Sequence, residues 1–427
     1  MVILSAHKYY FRGGGTATYL FTVTRELEAR GHRVIPFTVA YAQTEVSREY
    51  ERFWVTPPTA DPAAAYLSQI RRTPLTTLRM LGRATYSVEA RRKAAAAIAE
   101  TGVELAYLHN LYNYMSPSII DACRAAGVPV VMRVADYNLV CPNYLCYRQG
   151  EPCVRCVRGS YRHALSRRCV KGSLVATAGR VGSMYAHRWL RIYRHVDLFI
   201  TPSQFMRELL IEGGFPAERI AHVPSCYEVV PRRTPRASEG PPYFLYFGRV
   251  SPEKGLSVLL RALALLRPGV ELRIAGGDRQ GERARLEALA AELGVTERVR
   301  FLGHQSADEV ERLVAEALLT VVPSRCYDNC PMAIIESYAQ GAPVVAARLG
   351  GIPEQVDEET GWLFDAGDPE DLARQLGAAL ADPEELARRG AAARRRLETA
   401  YSPQRHVDEL ERLFGGLLVR PVASVLG

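Results

Sequence analysis

Short apolar runs alternate with helix-like apolar spacing along most of the chain, and no other feature of the sequence restricts the fold as much. The candidate strands of the first half are Val2–Ser5, Val34–Thr38, Leu105–Leu108, Val128–Met132 and Leu198–Thr201. Between the first two, residues 18–30 have helical spacing and end at Gly31, a residue that tolerates the positive φ of a helix C-terminus. Strand, helix and strand in this order predict a parallel α/β architecture.

A polar, proline-rich stretch at residues 231–242 interrupts this pattern and indicates a linker. The later candidate strands are Tyr243–Phe247, Glu271–Ala275, Val299–Leu302, Leu318–Val322 and Val344–Ala347, and the candidate helices are Gly255–Leu266, Ala284–Leu293, Asp308–Ala317 and Ala333–Gln340. Because 427 residues exceed one ordinary core, we expect two doubly wound, Rossmann-like domains at 1–235 and 241–400, then a segment at 401–427. Ligands of such folds bind beyond the carboxyl ends of the strands, so the interdomain cleft is the expected active site.

The composition describes a globular chain with a basic balance. The net charge is +8, which favours anionic partners, although an Arg-rich solvated surface explains it equally well. No apolar run reaches the roughly 18 residues of a membrane span, and the apolar start is too short for a signal peptide. We therefore expect a cytoplasmic protein, with peripheral contact at the inner membrane face as an option, and no nucleic-acid partner because no aromatic-basic recognition motif stands out.

A glycine-rich loop joins the first candidate strand to the first helix. It reads Arg12-Gly13-Gly14-Gly15, and glycines at a helix start let a ligand approach the backbone N–H groups, so Gly14 and Gly15 are candidate donor-binding residues. A tight structural turn explains the same sequence. The glycines lack the spacing of the dinucleotide-binding fingerprint, so a nicotinamide enzyme is not favoured.

Two cations follow the first strand of the second half. Phe247-Gly248-Arg249 closes the strand, and Ser251-Pro252-Glu253-Lys254-Gly255 opens the next helix. Two fixed cations at such a junction suit the charges of a diphosphate, which makes Arg249 and Lys254 candidate ligands of that group. The alternative is a capped helix start with exposed charges.

Two carboxylates flank the start of a later helix. Asp328 lies in the loop before it, and Glu336 lies eight positions further on. Both can accept hydrogen bonds from sugar hydroxyls, and the loop N–H groups of Asn329, Cys330, Pro331 and Met332, proline excepted, can meet an anion. The alternative is an N-capped helix with one exposed glutamate.

These motifs together resemble the retaining GT-B glycosyltransferases of the glycosyl transferases group 1 family, the group of glycogen synthase-like and mannosyltransferase members. The stretches that carry the resemblance are Tyr9–Gly15, Gly31–Val34, Gly248-Arg249, Glu253–Gly255, Asp328–Glu336 and Gly341–Val344. It covers nearly the whole chain. It implies two Rossmann-like domains, a nucleotide-diphosphate sugar bound by the C-terminal one, and a last helix from Tyr401 to about Leu418 that crosses back to the N-terminal one.

The resemblance also implies a role for each motif. Arg249 and Lys254 bind the donor diphosphate, Glu336 binds the ribose, and Asp328 stands where the family has a glutamate that contacts the transferred sugar. The reaction implied is transfer with retention of the anomeric configuration. No catalytic metal is expected, since the chain lacks an Asp-x-Asp motif.

One departure concerns the acceptor side. The family commonly has a histidine near the end of an N-domain strand, and here Ala135 stands at that place, followed by Asp136. Asp136 or His109 supplies the missing polarity, or activity is lost. The alternatives to a transferase are therefore a catalytically weak nucleotide-sugar-binding protein and, ranked lower, a nucleotide-sugar epimerase.

A cysteine-rich insertion at 141–170 follows an N-domain strand. Cys153 and Cys156 have the C-x2-C spacing of a zinc or iron–sulfur site, which Cys141 and Cys169 can complete, with Cys146 or His163 as substitutes. Free thiols or a redox pair are the alternatives. Its basic residues, with Tyr185, Trp189 and Tyr193 in the helical pattern that follows, suit an anionic or lipid-linked acceptor, and ordinary helix packing is the alternative.

Overall fold

The computed structural model describes residues 1–11, 14–57, 74–112, 115–233, 241–278 and 281–419, with the side chains of 74–78 excepted. Its strands are β1 (Val2–Ala6), β2 (Arg33–Phe37), β3 (Leu105–Leu108), β4 (Val130–Arg133), β5 (Tyr147–Arg148), β6 (Glu151–Pro152), β7 (Leu198–Thr201), β8 (Ile220–His222), β9 (Tyr243–Phe247), β10 (Glu271–Ala275), β11 (Val299–Gly303), β12 (Thr320–Val322), β13 (Val344–Ala347) and β14 (Gly361–Phe364). Twelve of these form two six-stranded sheets, and β5 and β6 form a small antiparallel hairpin.

Both large sheets are entirely parallel and doubly wound. The first has the order β2-β1-β3-β4-β7-β8 and the second the order β11-β10-β9-β12-β13-β14. In each, the strand order reverses beside the first strand, which creates the crevice where such folds bind ligands. The predicted α/β class with two Rossmann-like sheets is confirmed.

Helices cover the faces of both sheets. They are α1 (Gly15–Ala29), α2 (Pro74–Thr85), α3 (Val88–Thr101), α4 (Ser118–Ala125), α5 (Arg162–Ser166), α6 (Leu174–Trp189), α7 (Gln204–Glu212), α8 (Leu256–Leu265), α9 (Glu282–Glu292), α10 (Ala307–Glu316), α11 (Met332–Ala339), α12 (Pro369–Ala381), α13 (Pro383–Ala400) and α14 (Pro403–Leu418). None of the described helices has the length and apolar character of a membrane span.

The strands are apolar on both faces because helices pack on each side. Every residue of β9, Tyr-Phe-Leu-Tyr-Phe, is buried, and so is every residue of β13. Such continuous apolar runs are typical of parallel sheets. The same burial explains why their positions were readable from the sequence, whereas β8 and β14 were not predicted: β8 has only three residues, and β14 starts at a glycine.

The last helix packs on the first sheet, not on the second that precedes it in the chain. Val407, Leu410 and Phe414 lie in one buried cluster with side chains of α1 and of the first sheet. At its start, the His406 ring bonds Tyr19 Oη and the Pro224 carbonyl, each at 2.7 Å. The predicted linker at 231–242 falls partly on residues 234–240, and these lie outside the described residues, as do 420–427.

Replacing His406 with alanine is expected to lower the free energy of unfolding by about 2–4 kcal/mol, because Tyr19 Oη and the Pro224 carbonyl would lose a buried partner. Burial lowers the pKa of His406 to about 3, so the neutral ring makes these bonds at ordinary pH. Urea unfolding measures the change. Alanine at exposed His304 is the matched control, and equal midpoints for the two variants would contradict this role.

Candidate functional site

The predicted cations and carboxylate come together at the switch point of the second sheet. Arg249 and Lys254 follow β9, and Asp328 follows the neighbouring strand β12. Because parallel strands end at the same sheet edge, two segments far apart in sequence meet beyond their carboxyl ends. The fold therefore builds one polar site from the two clusters.

Gly255 allows the turn that carries Lys254 to pack closely against the loop that carries Asp328. It ends the turn after Lys254 with φ 72°, and a Cβ at this position would overlap the carbonyl oxygen of Pro323. The backbone N–H of Arg325 also donates to the carbonyl of Glu253 at 2.9 Å. Only glycine allows both the positive φ and this close approach.

Lys254 and Asp328 form the central ion pair of the site. The Lys254 ammonium lies 2.7 Å from each carboxylate oxygen of Asp328, and both side chains are less than one-fifth exposed. Burial disfavours both charges, yet each partner stabilises the other: the pKa of Lys254 is raised, and the pKa of Asp328 is lowered with help from a hydrogen bond donated by Ser324. Asp328 is therefore a carboxylate at neutral pH.

Arg249 stands beside this pair and is open to solvent. Its side chain is 56% exposed and lies 3.3 Å from the carboxylate of Glu253, which is itself buried. Tyr246 Oη donates to the backbone carbonyl of Arg249 at 2.5 Å and holds the turn. Because the guanidinium is already exposed, it can bind an anion without first breaking buried contacts.

The loop after Asp328 joins the second sheet to the first. The Ser203 hydroxyl, at the start of α7, donates to the Asn329 side-chain oxygen, whereas the Asn329 amide nitrogen has no hydrogen-bond partner in the described part of the chain. Burial raises the pKa of the Cys330 thiol, which bonds Ser225, so this thiol stays protonated. Pro331 caps α11, and Met332 is its first residue.

Glu336 lies on α11, in its second turn. Burial, with a smaller contribution from the Glu311 carboxylate, raises the pKa of Glu336 to about 7. The residue is partly exposed, so its side chain lies near the surface of the cleft. Near neutral pH it is poised between its protonated and charged forms.

Glutamine at position 336 is expected to stabilise the ligand-free protein at pH 8 relative to the wild type, by about 2 kcal/mol. A raised carboxyl pKa contributes stability that is fully present below about pH 4.5 and is lost as the pH rises through about 7. The Glu336→Gln variant avoids this loss, so its thermal midpoint should fall less between pH 5 and pH 8. Glu292→Gln, at an exposed position on α9, is the control; parallel pH profiles for all three proteins would contradict the assignment.

The glycine loop of the first sheet meets α11 across the cleft. Gly14 precedes α1 with φ 141°, and a Cβ on Gly15 would lie 2.6 Å from Met332 Cγ. The predicted residues Gly14, Gly15 and Met332 are thus brought together. Residues 12 and 13 of the same predicted loop lie outside the described residues.

The candidate acceptor-side residues lie at the carboxyl ends of the first sheet. Asp136 follows β4, accepts hydrogen bonds from the Asn138 N–H at 3.0 Å and from Asn110 Nδ2 at 3.2 Å, and is partly exposed. Burial raises the pKa of Asp136. His109 is 3% exposed, and burial lowers its pKa well below the usual value, so the ring is neutral and packs 4.3 Å from the Tyr107 ring.

The predicted structural metal in the cysteine segment is not supported. No three His, Cys, Asp or Glu side chains in the described ranges are arranged to hold a metal ion. The Cys141 thiol instead donates to Asn143 Oδ1 at 3.0 Å, and Cys156 lies in an apolar cluster against which Cys169 packs. The predicted ligand set of Cys141, Cys153, Cys156 and Cys169 is therefore without support among the described side chains.

Three residues of the site were missed by sequence reasoning. The Ser324 hydroxyl donates a hydrogen bond to Asp328. Tyr144 is 47% exposed and lies close enough to Arg249 and Asp136 to interact with both charges. Glu354 accepts two hydrogen bonds, each at 2.7 Å, from backbone N–H groups at the start of α7. Tyr144 has φ 57°, an unfavourable conformation for a tyrosine. For Tyr144, the one signal in the sequence was its place in the turn-forming run Pro-Asn-Tyr after Cys141.

Two family models match most of the chain. The glycosyl transferase 4-like domain matches residues 14–226, and glycosyl transferases group 1 matches residues 231–396. Among curated relatives, D-inositol 3-phosphate glycosyltransferase of Mycobacterium sp. (strain KMS) is 40% identical over 150 residues, 34% of each chain, and that of Nocardia farcinica is 38% identical over 205 residues, 44% of this chain and 45% of the relative. The match thus spans about a third of the length of the first of these.

Solved structures share the whole architecture. Sucrose-phosphate synthase from Thermosynechococcus elongatus superposes with a TM-score of 0.72 at 21% identity, covering 97% of this chain and 98% of that one. Anabaena Alr3699/HepE in complex with UDP and glucose superposes with a TM-score of 0.67 at 18% identity, covering 97% and 100%. At these identities the likeness establishes the fold, which is the predicted two-domain GT-B arrangement.

Proposed function

The chain belongs to the glycosyl transferases group 1 family, with a glycosyl transferase 4-like domain in its N-terminal half, and from that premise we propose that it transfers a sugar from a nucleotide-diphosphate sugar to an acceptor. The donor binds at the carboxyl edge of the second sheet, and the acceptor binds at the facing edge of the first. The observation that carries this proposal is the Lys254–Asp328 pair beside the exposed Arg249.

The diphosphate is the donor group that these cations fit. Arg249 is available in the ligand-free site, and Lys254 can exchange part of its contact with Asp328 for a phosphate oxygen. Both charges stabilise the diphosphate as the bond to the sugar breaks, which is when negative charge grows on the leaving group. The ribose hydroxyls meet Glu336, and the free N–H groups at the start of α11 face the phosphates.

The sugar lies against Asp328, between the donor cations and the acceptor side. Positive charge grows on the sugar ring as the bond between the anomeric carbon and the diphosphate oxygen breaks, and the Asp328 carboxylate, kept ionised by Lys254, stabilises it. We propose transfer with retention. The acceptor oxygen then bonds the anomeric carbon on the face that the diphosphate leaves, and its proton passes to the departing phosphate.

The acceptor is proposed to be a hydroxyl compound, anionic or lipid-linked, held near Asp136. Asp136 is partly exposed and its carboxylate lies 3.2 Å from the Asn110 amide nitrogen, so the pair offers both an acceptor and a donor of hydrogen bonds. Catalysis by His109 would require the buried ring to become accessible. Phosphorylated polyols are a natural first choice of acceptor, since the curated relatives are named for inositol 3-phosphate.

A nucleotide-sugar-binding protein without turnover is the second candidate. Two observations favour it: Ala135 offers no polar group at its position, and Lys254 is already paired with Asp328. An epimerase ranks lower, because it needs no acceptor side.

One assay separates these candidates. The protein is incubated with UDP-, GDP-, dTDP- and ADP-linked hexoses, with and without inositol phosphate or a simple sugar, and products are followed by NMR of the anomeric protons. A glycoside with the donor's anomeric configuration supports the proposal, and one with inverted configuration contradicts retention. Donor isomerisation without acceptor identifies an epimerase, and binding without product identifies a binding protein.

A further inference from the structure

The solvent face of α6 is apolar except for Arg188 near its C-terminal end. Its exposed positions recur every three or four residues, which places them on one stripe of the helix. They are Leu174, Ala178, Gly182, Tyr185 and Trp189, with Val175 and Leu190 at the edges. Trp189 is 84% exposed and Val175 is 72% exposed. A contiguous set of exposed apolar side chains, unlike a single one, is typical of an interaction surface.

Two long polar side chains of the same helix find partners on its inner side, whereas Arg188 is exposed and the buried Ser183 hydroxyl has no hydrogen-bond partner in the described part of the chain. His187 bonds the Thr85 carbonyl at 2.7 Å, and Arg180 donates to the carbonyl and side-chain oxygens of Asn138 at 2.8 and 3.0 Å. The helix thus has apolar residues on both sides: Val181 and Met184 are buried in an apolar cluster, and a second apolar stripe faces solvent. Packing within the described fold accounts for the inward face only.

The apolar stripe lies in a strongly basic part of the chain. Residues 152–196 contain ten Lys and Arg and no Asp or Glu, whereas the rest of the chain has 44 basic against 46 acidic side chains. The exposed basic residues of this segment are Arg155, Arg158, Arg162, Arg167, Arg168, Lys171, Arg188, Arg191 and Arg194. The positive net charge of the protein is therefore concentrated in the segment of sequence that contains α6.

We propose that α6 and these basic residues form a docking surface for an anionic phospholipid membrane. Trp189, Leu190, Leu174 and Val175 enter the headgroup boundary, and the surrounding arginines meet lipid phosphates. The aliphatic side chains of Leu174, Val175 and Leu190 beside Trp189 and Tyr185 favour a lipid surface over a nucleic-acid site, whose cations are interleaved mainly with aromatic platforms. Docking itself does not depend on the proposed reaction.

The surface has a direct structural link to the acceptor side of the cleft. Arg180 on the inner face of α6 holds Asn138, and Asn138 bonds Asp136 at 2.8 Å. One helix diameter, about 10 Å, separates the docking stripe from this network. A docked protein thus brings its acceptor side to a lipid-linked hydroxyl, a consequence that rests on the proposed function.

Vesicle cosedimentation tests the docking surface. The protein is expected to bind phosphatidylglycerol–phosphatidylcholine vesicles more tightly than pure phosphatidylcholine, and the Val175→Ser/Trp189→Ser double variant to bind about tenfold more weakly. The exposed residues Leu265 and Val419, on other surfaces, supply the matched control Leu265→Ser/Val419→Ser. Both side-chain pairs are exposed, so neither double variant should change the thermal midpoint.

Charge is tested by a second pair of variants. Arg162→Gln/Arg167→Gln should weaken vesicle binding several-fold and reduce its salt sensitivity, whereas Arg261→Gln/Arg267→Gln, on the second domain, should not. Equal binding to neutral and anionic vesicles, or wild-type binding by the Val175/Trp189 variant, would overturn the proposal. The proposal would also be overturned if neither the wild type nor this variant bound vesicles and if light scattering showed a wild-type dimer that the variant does not form. Donor binding by thermal shift is read separately, so failure of docking and failure of the proposed function are distinguishable.

Discussion

Methionine at position 254 is expected to lower kcat/KM for the nucleotide-sugar donor by about 100- to 1000-fold, because the departing diphosphate loses a buried cation. The Lys254 ammonium lies 2.7 Å from both oxygens of Asp328, so its loss also leaves that carboxylate uncompensated. Breaking one side of such a pair costs about 3–5 kcal/mol of folding stability. Steady-state kinetics with the preferred donor and a thermal midpoint measure the two effects.

Two further variants separate the chemical effect from instability. Lys254→Met/Asp328→Asn removes the buried charge and should regain most of the thermal midpoint, yet should still bind the nucleoside diphosphate weakly. Lys93→Met removes a partly buried lysine that pairs with Glu89, and it should leave turnover unchanged. Near-normal kinetics in Lys254→Met would refute the diphosphate role of this lysine.

Alanine at Gly255 is expected to lower the free energy of unfolding by about 3 kcal/mol and donor affinity by at least about tenfold. The new Cβ would overlap the Pro323 carbonyl and push the Lys254 turn away from the loop that carries Asp328. The two halves of the diphosphate site would then no longer meet. Denaturant unfolding and calorimetric titration of the nucleoside diphosphate measure the two losses.

Gly281 provides a control for backbone strain alone. It precedes α9 with φ 74°, close to the 72° of Gly255, but a Cβ there would meet nothing within 4 Å. Gly281→Ala should therefore lower the free energy of unfolding only by the cost of the left-handed conformation, about 1–2 kcal/mol, and should leave donor affinity unchanged. If Gly255→Ala and Gly281→Ala behaved alike, the close approach to Pro323 would have no role in the site.

The fold was largely predictable because parallel strands buried on both faces leave an unmistakable apolar run. Strands β3, β7, β9, β10 and β13 have the bounds that the sequence predicts. The short strand β8 was missed, since its sequence Ile-Ala-His does not form a continuous apolar run as the residues around β12 do. Helix α1 begins at Gly15, three residues before its predicted start, because the glycine loop itself enters the helix.

The candidate site was predictable in its parts but not in its contacts. Polar residues that follow neighbouring strands must meet at one edge, so the grouping of Arg249, Lys254 and Asp328 follows from topology. The pairing of Lys254 with Asp328 joins residues 74 positions apart, and no local pattern specifies it. The cysteine spacing likewise predicted a metal site that the described side chains do not support, since spacing along the chain does not fix the distances between thiols.

The direction of α6 also lay beyond sequence reasoning. Periodicity locates the apolar stripe of a helix, but the side on which the core lies is decided by its neighbours. Here Arg180 and His187 find partners inside, which leaves Trp189 in solvent.

The central claim is that the second sheet holds a nucleotide-diphosphate sugar between Arg249, Lys254 and Glu336. A thermal-shift panel of UDP, GDP, dTDP and ADP sugars tests it most directly, with Lys254→Met/Asp328→Asn beside the wild type. We predict that one nucleotide class raises the wild-type midpoint and leaves the double variant unchanged. No shift with any carrier, or the same shift in both proteins, would contradict the claim.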